Sequence, residues 1–247
     1  MSEEAAVDIR RLTKRYGARG PDVLEDVSLT IAPGEFACVV GASGCGKSTL
    51  LNIIAGLEAP TSGLVEVPSG RAAVMFQEPA LFPWLTAAGN IELALKLAGT
   101  PRPRRRVRAL ELLDLVNLAE SADKRPHELS GGMRQRVALA RALAQDRDVL
   151  LMDEPFAALD AITRDLLHDE LVRVWRETRR TIVFVTHNVR EAVRLGQRVV
   201  LMSSRPGRVA TQWRIEHSGQ RRIESPEVSR LAIEITDQLR TEIRRAA

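Results

Sequence analysis

Nine residues, Gly41-Ala42-Ser43-Gly44-Cys45-Gly46-Lys47-Ser48-Thr49, carry the most specific chemistry in this chain. They follow the apolar run Phe36-Ala37-Cys38-Val39-Val40 and precede Leu50-Leu51-Asn52-Ile53-Ile54-Ala55, so a glycine-rich turn joins a strand to a helix. Glycines let successive backbone N–H groups curl toward one point, and the helix start adds its positive dipole end there; together they hold a polyphosphate. Lys47 reaches the terminal phosphates, and Ser48 offers its hydroxyl to a magnesium ion. A plain flexible turn explains neither the filled pattern nor its strand and helix context.

Two further stretches serve such a site. Asp148-Val149-Leu150-Leu151-Met152-Asp153-Glu154-Pro155 is an apolar strand ending in two carboxylates, and ligands bind at the C-terminal edge of parallel sheets. Asp153 is expected to hold the magnesium shell, leaving Glu154 to orient and deprotonate a water. The strand Thr181-Ile182-Val183-Phe184-Val185 delivers Thr186-His187 at its end. His187 there is able to donate to a phosphate oxygen, although a lone histidine is more often structural.

The elements that must position these groups follow from periodicity. Val7 to Tyr16 and Val23 to Ile31 alternate around a Gly-rich break as two half-buried strands, and Leu64 to Val67 and Ala72 to Phe76 read as further strands. Tyr16, the only tyrosine, ends the first strand, where stacking on a purine and a plain surface role are equally open. Prolines bound the aromatic stretch Gln77-Glu78-Pro79-Ala80-Leu81-Phe82-Pro83-Trp84-Leu85; a contact surface for another protein is preferred over a loop folded back on its own domain. From Thr86 to Ala122 the pattern turns helical, with Leu93, Leu97, Leu110, Leu113, Val116 and Leu118 as apolar positions, which marks an inserted helical lobe. Ser130 is a natural N-cap, and Gly131-Gly132 expose backbone N–H groups at a second helix start, giving a second anion site. A helix with Leu167, Leu171, Val174 and Trp175 on one face precedes the Thr181 strand. Arg198 to Met202 is the last clear strand. A short hairpin-like stretch and an amphipathic helix from about Val228 follow.

Composition sets limits. The chain of 247 residues is long enough for one large domain with an inserted lobe. There is no apolar run of roughly 18 residues, and the acidic start Ser2-Glu3-Glu4 is unlike a signal peptide, so a cytosolic protein that neither spans a membrane nor is secreted is expected. Cys38 and Cys45 fit reduced thiols better than a disulfide. The net charge is +4, and among 36 basic residues only Lys14, Lys47, Lys96 and Lys124 are lysines. The cluster Arg102, Arg104, Arg105, Arg106 and Arg108, broken by Pro101 and Pro103, reads as a solvated helix face, because no aromatics interleave to stack bases.

The stretch Leu129-Ser130-Gly131-Gly132-Met133-Arg134-Gln135, with the phosphate turn, Gln77, the acidic pair, Ala158-Leu159-Asp160 and His187, resembles the ATP-binding cassette family. The motifs occur in that family's order across roughly residues 7 to 210. Phe76 to Leu85, Leu151 to Phe156 and Leu159-Asp160-Ala161-Ile162-Thr163-Arg164 look like the ATPase subunits of nitrate, sulfonate, taurine and related importers. The resemblance implies an α/β P-loop NTPase core with an N-terminal antiparallel β subdomain. It places the ATPase domain at residues 7–228, an inserted α-helical subdomain at about 86–145, and a C-terminal helical tail at 229–247. It further implies that ATP and Mg2+ are bound, with Tyr16 on adenine and Gly41, Ala42, Ser43, Gly44, Cys45, Gly46, Lys47, Ser48 and Thr49 on the phosphates. Ser48, Asp153 and Gln77 would serve the metal, with Gln77 also at the attacking water. Glu154 would be the base and His187 the γ-phosphate switch. Ser130, Gly131 and Gly132 would close over the γ-phosphate held by the opposite subunit of a homodimer, with Asp160 bridging the two.

The implied partners are transmembrane permease subunits, met through Gln77–Leu85, and a periplasmic or lipid-anchored solute-binding protein, with the ATPase peripheral on the cytoplasmic side of the cell membrane. Ala157 for a usual glycine, Asn188 for an acidic residue, and Gly196 depart from the subgroup without removing a catalytic group. A soluble cassette acting on nucleic acid or ribosomes is the rival reading, disfavoured because the chain has neither a second cassette nor a long coiled-coil insertion. A nucleotide-dependent scaffold without turnover is disfavoured by the intact Glu154 and His187.

Overall fold

Strands buried on both faces read as unbroken apolar runs, and this chain has several. The computed structural model describes residues 5–17, 20–215 and 225–245; Ser2-Glu3-Glu4, part of the Gly-rich break and the last two residues of the expected tail lie outside them. The elements are β1 (Val7–Arg15), β2 (Asp22–Ile31), β3 (Phe36–Val40), α1 (Lys47–Ile54), β4 (Ser62–Glu66), β5 (Ala73–Met75), α2 (Ala87–Leu97), α3 (Arg102–Leu115) and α4 (Gly131–Leu143). They continue as β6 (Val149–Asp153), α5 (Ala161–Thr178), β7 (Thr181–Val185), α6 (Val189–Leu195), β8 (Arg198–Met202), β9 (Val209–Arg214) and α7 (Pro226–Arg245).

The larger sheet has the order β5-β6-β7-β3-β8-β9, with parallel pairing from β5 through β8 and β9 antiparallel at the edge. A separate antiparallel sheet has the order β2-β1-β4. Alternation along β3 divides the core. Phe36, Cys38 and Val40 face a cluster that includes α4, α5 and α6, whereas Ala37 and Val39 face α1 and the antiparallel sheet. Phe36, Phe156 and Phe184 are fully buried and stack in sequence, with ring centroids 6.0 and 6.1 Å apart across Phe184.

α2, α3 and α4 pack together, joining the main sheet through α4 and β5. Thr86 caps α2 by accepting from the Gly89 N–H at 3.0 Å. The face of this lobe differs from the one expected. Ile91, Ala94 and Leu95 are buried, while Leu97 is 80% exposed and Leu93 only half-buried, so the true stripe is offset from Leu93 and Leu97. Leu110 is also on the surface, whereas Leu113, Val116 and Leu118 are buried. The arginine cluster opens α3, as a solvated helix face would. Pro101 is the N-cap of α3 and Pro103 lies in its first turn, where a missing N–H removes no intrahelical bond. Arg104, Arg106 and Arg108 are exposed there, with Arg106 bonded to Asp123 and Glu92.

α7 packs on α6 through Val228, Ala232 and Ile235, so a boundary between 228 and 229 falls inside one helix. Among the described residues no helix is long and apolar enough to cross a membrane.

Glu170 of α5 fastens the lobe to the core. Its carboxylate meets Arg136 of α4 at 2.8 Å and accepts from the Asn117 amide at 3.1 Å. Burial nevertheless outweighs Arg136 and Arg173 and pushes its pKa up. With the folded value above the unfolded one, the ionised form weakens the fold, so stability falls as pH rises from the ordinary glutamate range through the folded pKa. Glu170→Gln should remove that dependence: in thermal melts, the Tm of the variant minus that of the parent should be larger at pH 7 than at pH 4.5. A difference that shrinks as pH rises would contradict the assignment.

Candidate functional site

Parallel pairing brings the chemistry to one edge. Val39 pairs with Val185, Asp153 with Val185, and Met75 with Met152, so β3, β7, β6 and β5 all end at the same level. The glycine turn leaves β3, Asp153-Glu154 leaves β6, Thr186-His187 leaves β7, and Gln77 follows β5.

The turn needs its glycines. Gly46 has φ +96° and caps α1, and a Cβ on it would sit 2.6 Å from a methyl of Leu24. Lys47 is buried, its ammonium donating to the Gly41 and Ala42 carbonyls at 2.9 and 3.0 Å and lying 3.9 Å from Cys45 Sγ. Burial pushes the Cys45 thiol pKa up, so it is a packed thiol within the turn. Tyr16 is half-exposed just past β1; its hydroxyl donates to Glu58 at 2.6 Å and interacts with the Thr49 side chain, and the Lys14 ammonium lies 4.9 Å from its ring centre. The ring is thereby fixed beside the last residue of the turn.

Burial raises the Asp153 pKa, and the nearby Ser48 hydroxyl opposes that rise. Among the described residues no three His, Cys, Asp or Glu side chains converge as a metal cage. Magnesium does not require one, since it takes one or two protein oxygens and fills its shell with phosphate and water. The Ser48–Asp153 pair fits that requirement.

Glu154 has φ +43°, uncommon for a residue with a side chain, and its N–H donates to the Val185 carbonyl at 2.9 Å. The turn aims the carboxylate at His187, whose Nδ1 lies 2.8 Å from Glu154 Oε2. Gln77 is exposed; its carbonyl accepts from Gln135 of α4 at 2.8 Å. Arg141 donates to the carbonyls of Pro79 and Ala80 at 2.6 and 2.7 Å, tying the proline-bounded stretch to α4. The backbone of this stretch is anchored on its own domain, with buried Asn90 accepting from the Phe82 N–H at 2.8 Å and Leu81 packed on the core, while the side chains of Phe76, Phe82 and Trp84 remain exposed, Trp84 to 69%.

The other expected residues stand at two helix starts. Ser130 caps α4 by accepting from the Met133 N–H at 3.3 Å, and Asp160 caps α5 by accepting from the Thr163 N–H at 3.0 Å, which lowers its pKa. A Cβ on Gly132 would come 2.6 Å from the Thr163 methyl, so only glycine lets these two helix starts approach. Among the described residues no hydrogen bond joins Ser130, Gly131, Gly132 or Asp160 to the turn, Glu154 or His187. Sequence reasoning gave no role to Gln135, Arg141, Thr186, His168 or Glu191. Gln135 ended a motif, but its bond to a carbonyl 58 positions away has no local signal.

Residues 24–157 match the ABC transporter family. An ATP-binding protein of Brucella abortus is 49% identical over 210 residues, covering 82% of this chain and 80% of its own length. The taurine import ATP-binding protein of Rhizobium johnstonii is 48% identical over 209 residues, covering 82% of this chain and 79% of its own. A solved dimeric ATP-binding cassette in a post-hydrolysis state, bound to ADP and phosphate, superposes with TM-score 0.73 at 35% identity, covering 86% of this chain and all of that one. This chain therefore belongs to the ABC transporter family, as one of its ATP-hydrolysing cassettes.

Proposed function

We propose that this cassette is the ATPase subunit of an importer, lying on the cytoplasmic face of the membrane and energising uptake of a small solute of the nitrate, sulfonate or taurine kind. The observation that carries the reading is the exposed Phe82 and Trp84 held beside Gln77 by Arg141 and Gln135, a contact surface joined by two helix-borne clamps to a nucleotide site. The 48% identity to a taurine import ATP-binding protein supports the solute class. Permease subunits dock on Gln77–Leu85, and a solute-binding protein outside the membrane selects the cargo. Residues 7–228 form the ATPase domain with the helical lobe at about 86–145. The tail after 228 completes α7.

In this reading Tyr16 stacks on adenine and Gly41 to Thr49 cradle the phosphates. Ser48, Asp153 and Gln77 would hold Mg2+, which would supply charge neutralisation for the phosphates. Glu154 takes a proton from the attacking water as its oxygen bonds to the γ-phosphorus. The bridging bond to ADP breaks, and Lys47 stabilises the departing charge. His187 keeps the Glu154 carboxylate aimed and contacts the γ-phosphate. In this reading a second copy presents Ser130, Gly131, Gly132 and Asp160 across a head-to-tail homodimer, which the likeness to a solved dimeric cassette supports.

Glu154→Gln should bind ATP, lose hydrolysis by at least about 100-fold, and elute as a dimer when ATP is present. Undiminished hydrolysis would overturn the assignment of the base. For the docking surface, tagged full-length chain should co-purify with membrane-spanning subunits from detergent-solubilised membranes, and Phe82→Ala/Trp84→Ala should abolish that recovery. Retained recovery in the double variant would overturn the docking surface, and a salt-dependent RNA or DNA complex with no membrane-spanning subunit recovered would favour the nucleic-acid reading.

A further inference from the structure

Behind His187 lies a buried polar chain. His168 of α5 is fully buried, and its Nε2 lies 2.6 Å from Glu191 Oε1 in the first turn of α6. The other oxygen of Glu191 accepts from the Thr186 hydroxyl, and both side chains are buried. Thr186 Oγ1 in turn accepts from the Asn188 N–H at 3.0 Å, so this bond spans the backbone of His187 itself. The partners define the tautomer of His168. Nε2 faces a carboxylate oxygen and carries the proton, while Nδ1 faces the Arg194 guanidinium at 3.4 Å and accepts. Asp165, 3.8 Å from Nδ1, is itself bonded to Arg194 at 2.7 Å. The His168 ring also packs on Phe156, two residues beyond Glu154, with centroids 5.6 Å apart.

We propose that His168 is a positioning residue for hydrolysis: through Glu191 and Thr186 it locks the His187 turn in the orientation that faces Glu154. A buried carboxylate with both oxygens satisfied holds a single arrangement; remove one donor and the group must rotate or draw in water, freeing Thr186. The effect should appear in turnover more than in nucleotide binding, because Lys47 and the glycine turn are held by other bonds. α5 thus connects three points: Phe156 after the base, the turn of His187, and its own N-cap Asp160.

The inference rests on the role proposed for His187, and the experiment separates the two. In ATPase assays on the purified full chain, His187→Ala is measured first; full activity there would overturn the role of His187 and the relay with it. Given loss in His187→Ala, His168→Leu, of similar size but without a donor, should lower kcat about tenfold with KM for ATP within about twofold. His168→Gln, which restores an N–H donor, should recover most of the rate. Thr186→Val breaks the same chain at its other end and reproduces the kcat loss should His168→Leu fail to fold. The effects of His168→Leu and His187→Ala should be non-additive. Unchanged kcat in both His168→Leu and Thr186→Val, a rise in KM alone, or no rescue by glutamine would overturn the proposal.

Discussion

Parallel pairing of β3, β7, β6 and β5 is the constraint on which the rest depends. Four segments far apart in sequence carry a phosphate turn, a pair of carboxylates, a histidine and a glutamine, and none of them touches another through local structure. In-register parallel pairing sends every strand end to the same edge, so that Glu154 meets His187 at 2.8 Å and Ser48 meets Asp153. A slip of one residue in β7 would turn Val183 and Val185 into the opposite cluster and move His187 off the edge. The stacked Phe36, Phe184 and Phe156 hold that register from beneath.

The phosphate site is rigid. Its floor is overdetermined: glycines with no room for a Cβ, a buried lysine bonded to its own turn, and a glutamate held in left-handed backbone. In the proposed reading its roof comes from a second copy, from the starts of α4 and α5, where Gly132 and Thr163 press together. Both helix starts are capped by their own side chains, yet α4 retains further N–H groups able to meet an anion. Gln135 and Arg141 connect α4 to the aromatic stretch by three hydrogen bonds to its backbone carbonyls.

Much of this was legible in the sequence because its signals are local. The turn between β3 and α1, the carboxylates closing β6 and the cap Ser130 each sit within a few residues of their own structural context, and their elements formed where periodicity placed them. The arginine cluster at 102–108 was legible as a helix start and solvated face, and Pro101 and Pro103 fall where a helix tolerates them. What was not legible is nonlocal or near-degenerate. The burial stripe of α2 was misplaced because Ile91, Leu93, Leu95 and Leu97 are all apolar, and only packing on α3 and α4 decides which of them turns inward. The His168–Glu191 pair joins two helices across 23 positions, and neither residue falls in a motif that chemistry alone would single out.

The central claim is that one chain holds half of a hydrolytic site and a second copy supplies the rest. The most direct test is specific ATPase activity of the purified chain measured against its own concentration at saturating ATP, with sedimentation run in parallel. The account predicts that activity per chain rises with concentration and levels off as dimer fills. Activity per chain that stays constant down to concentrations where only monomer sediments would contradict it.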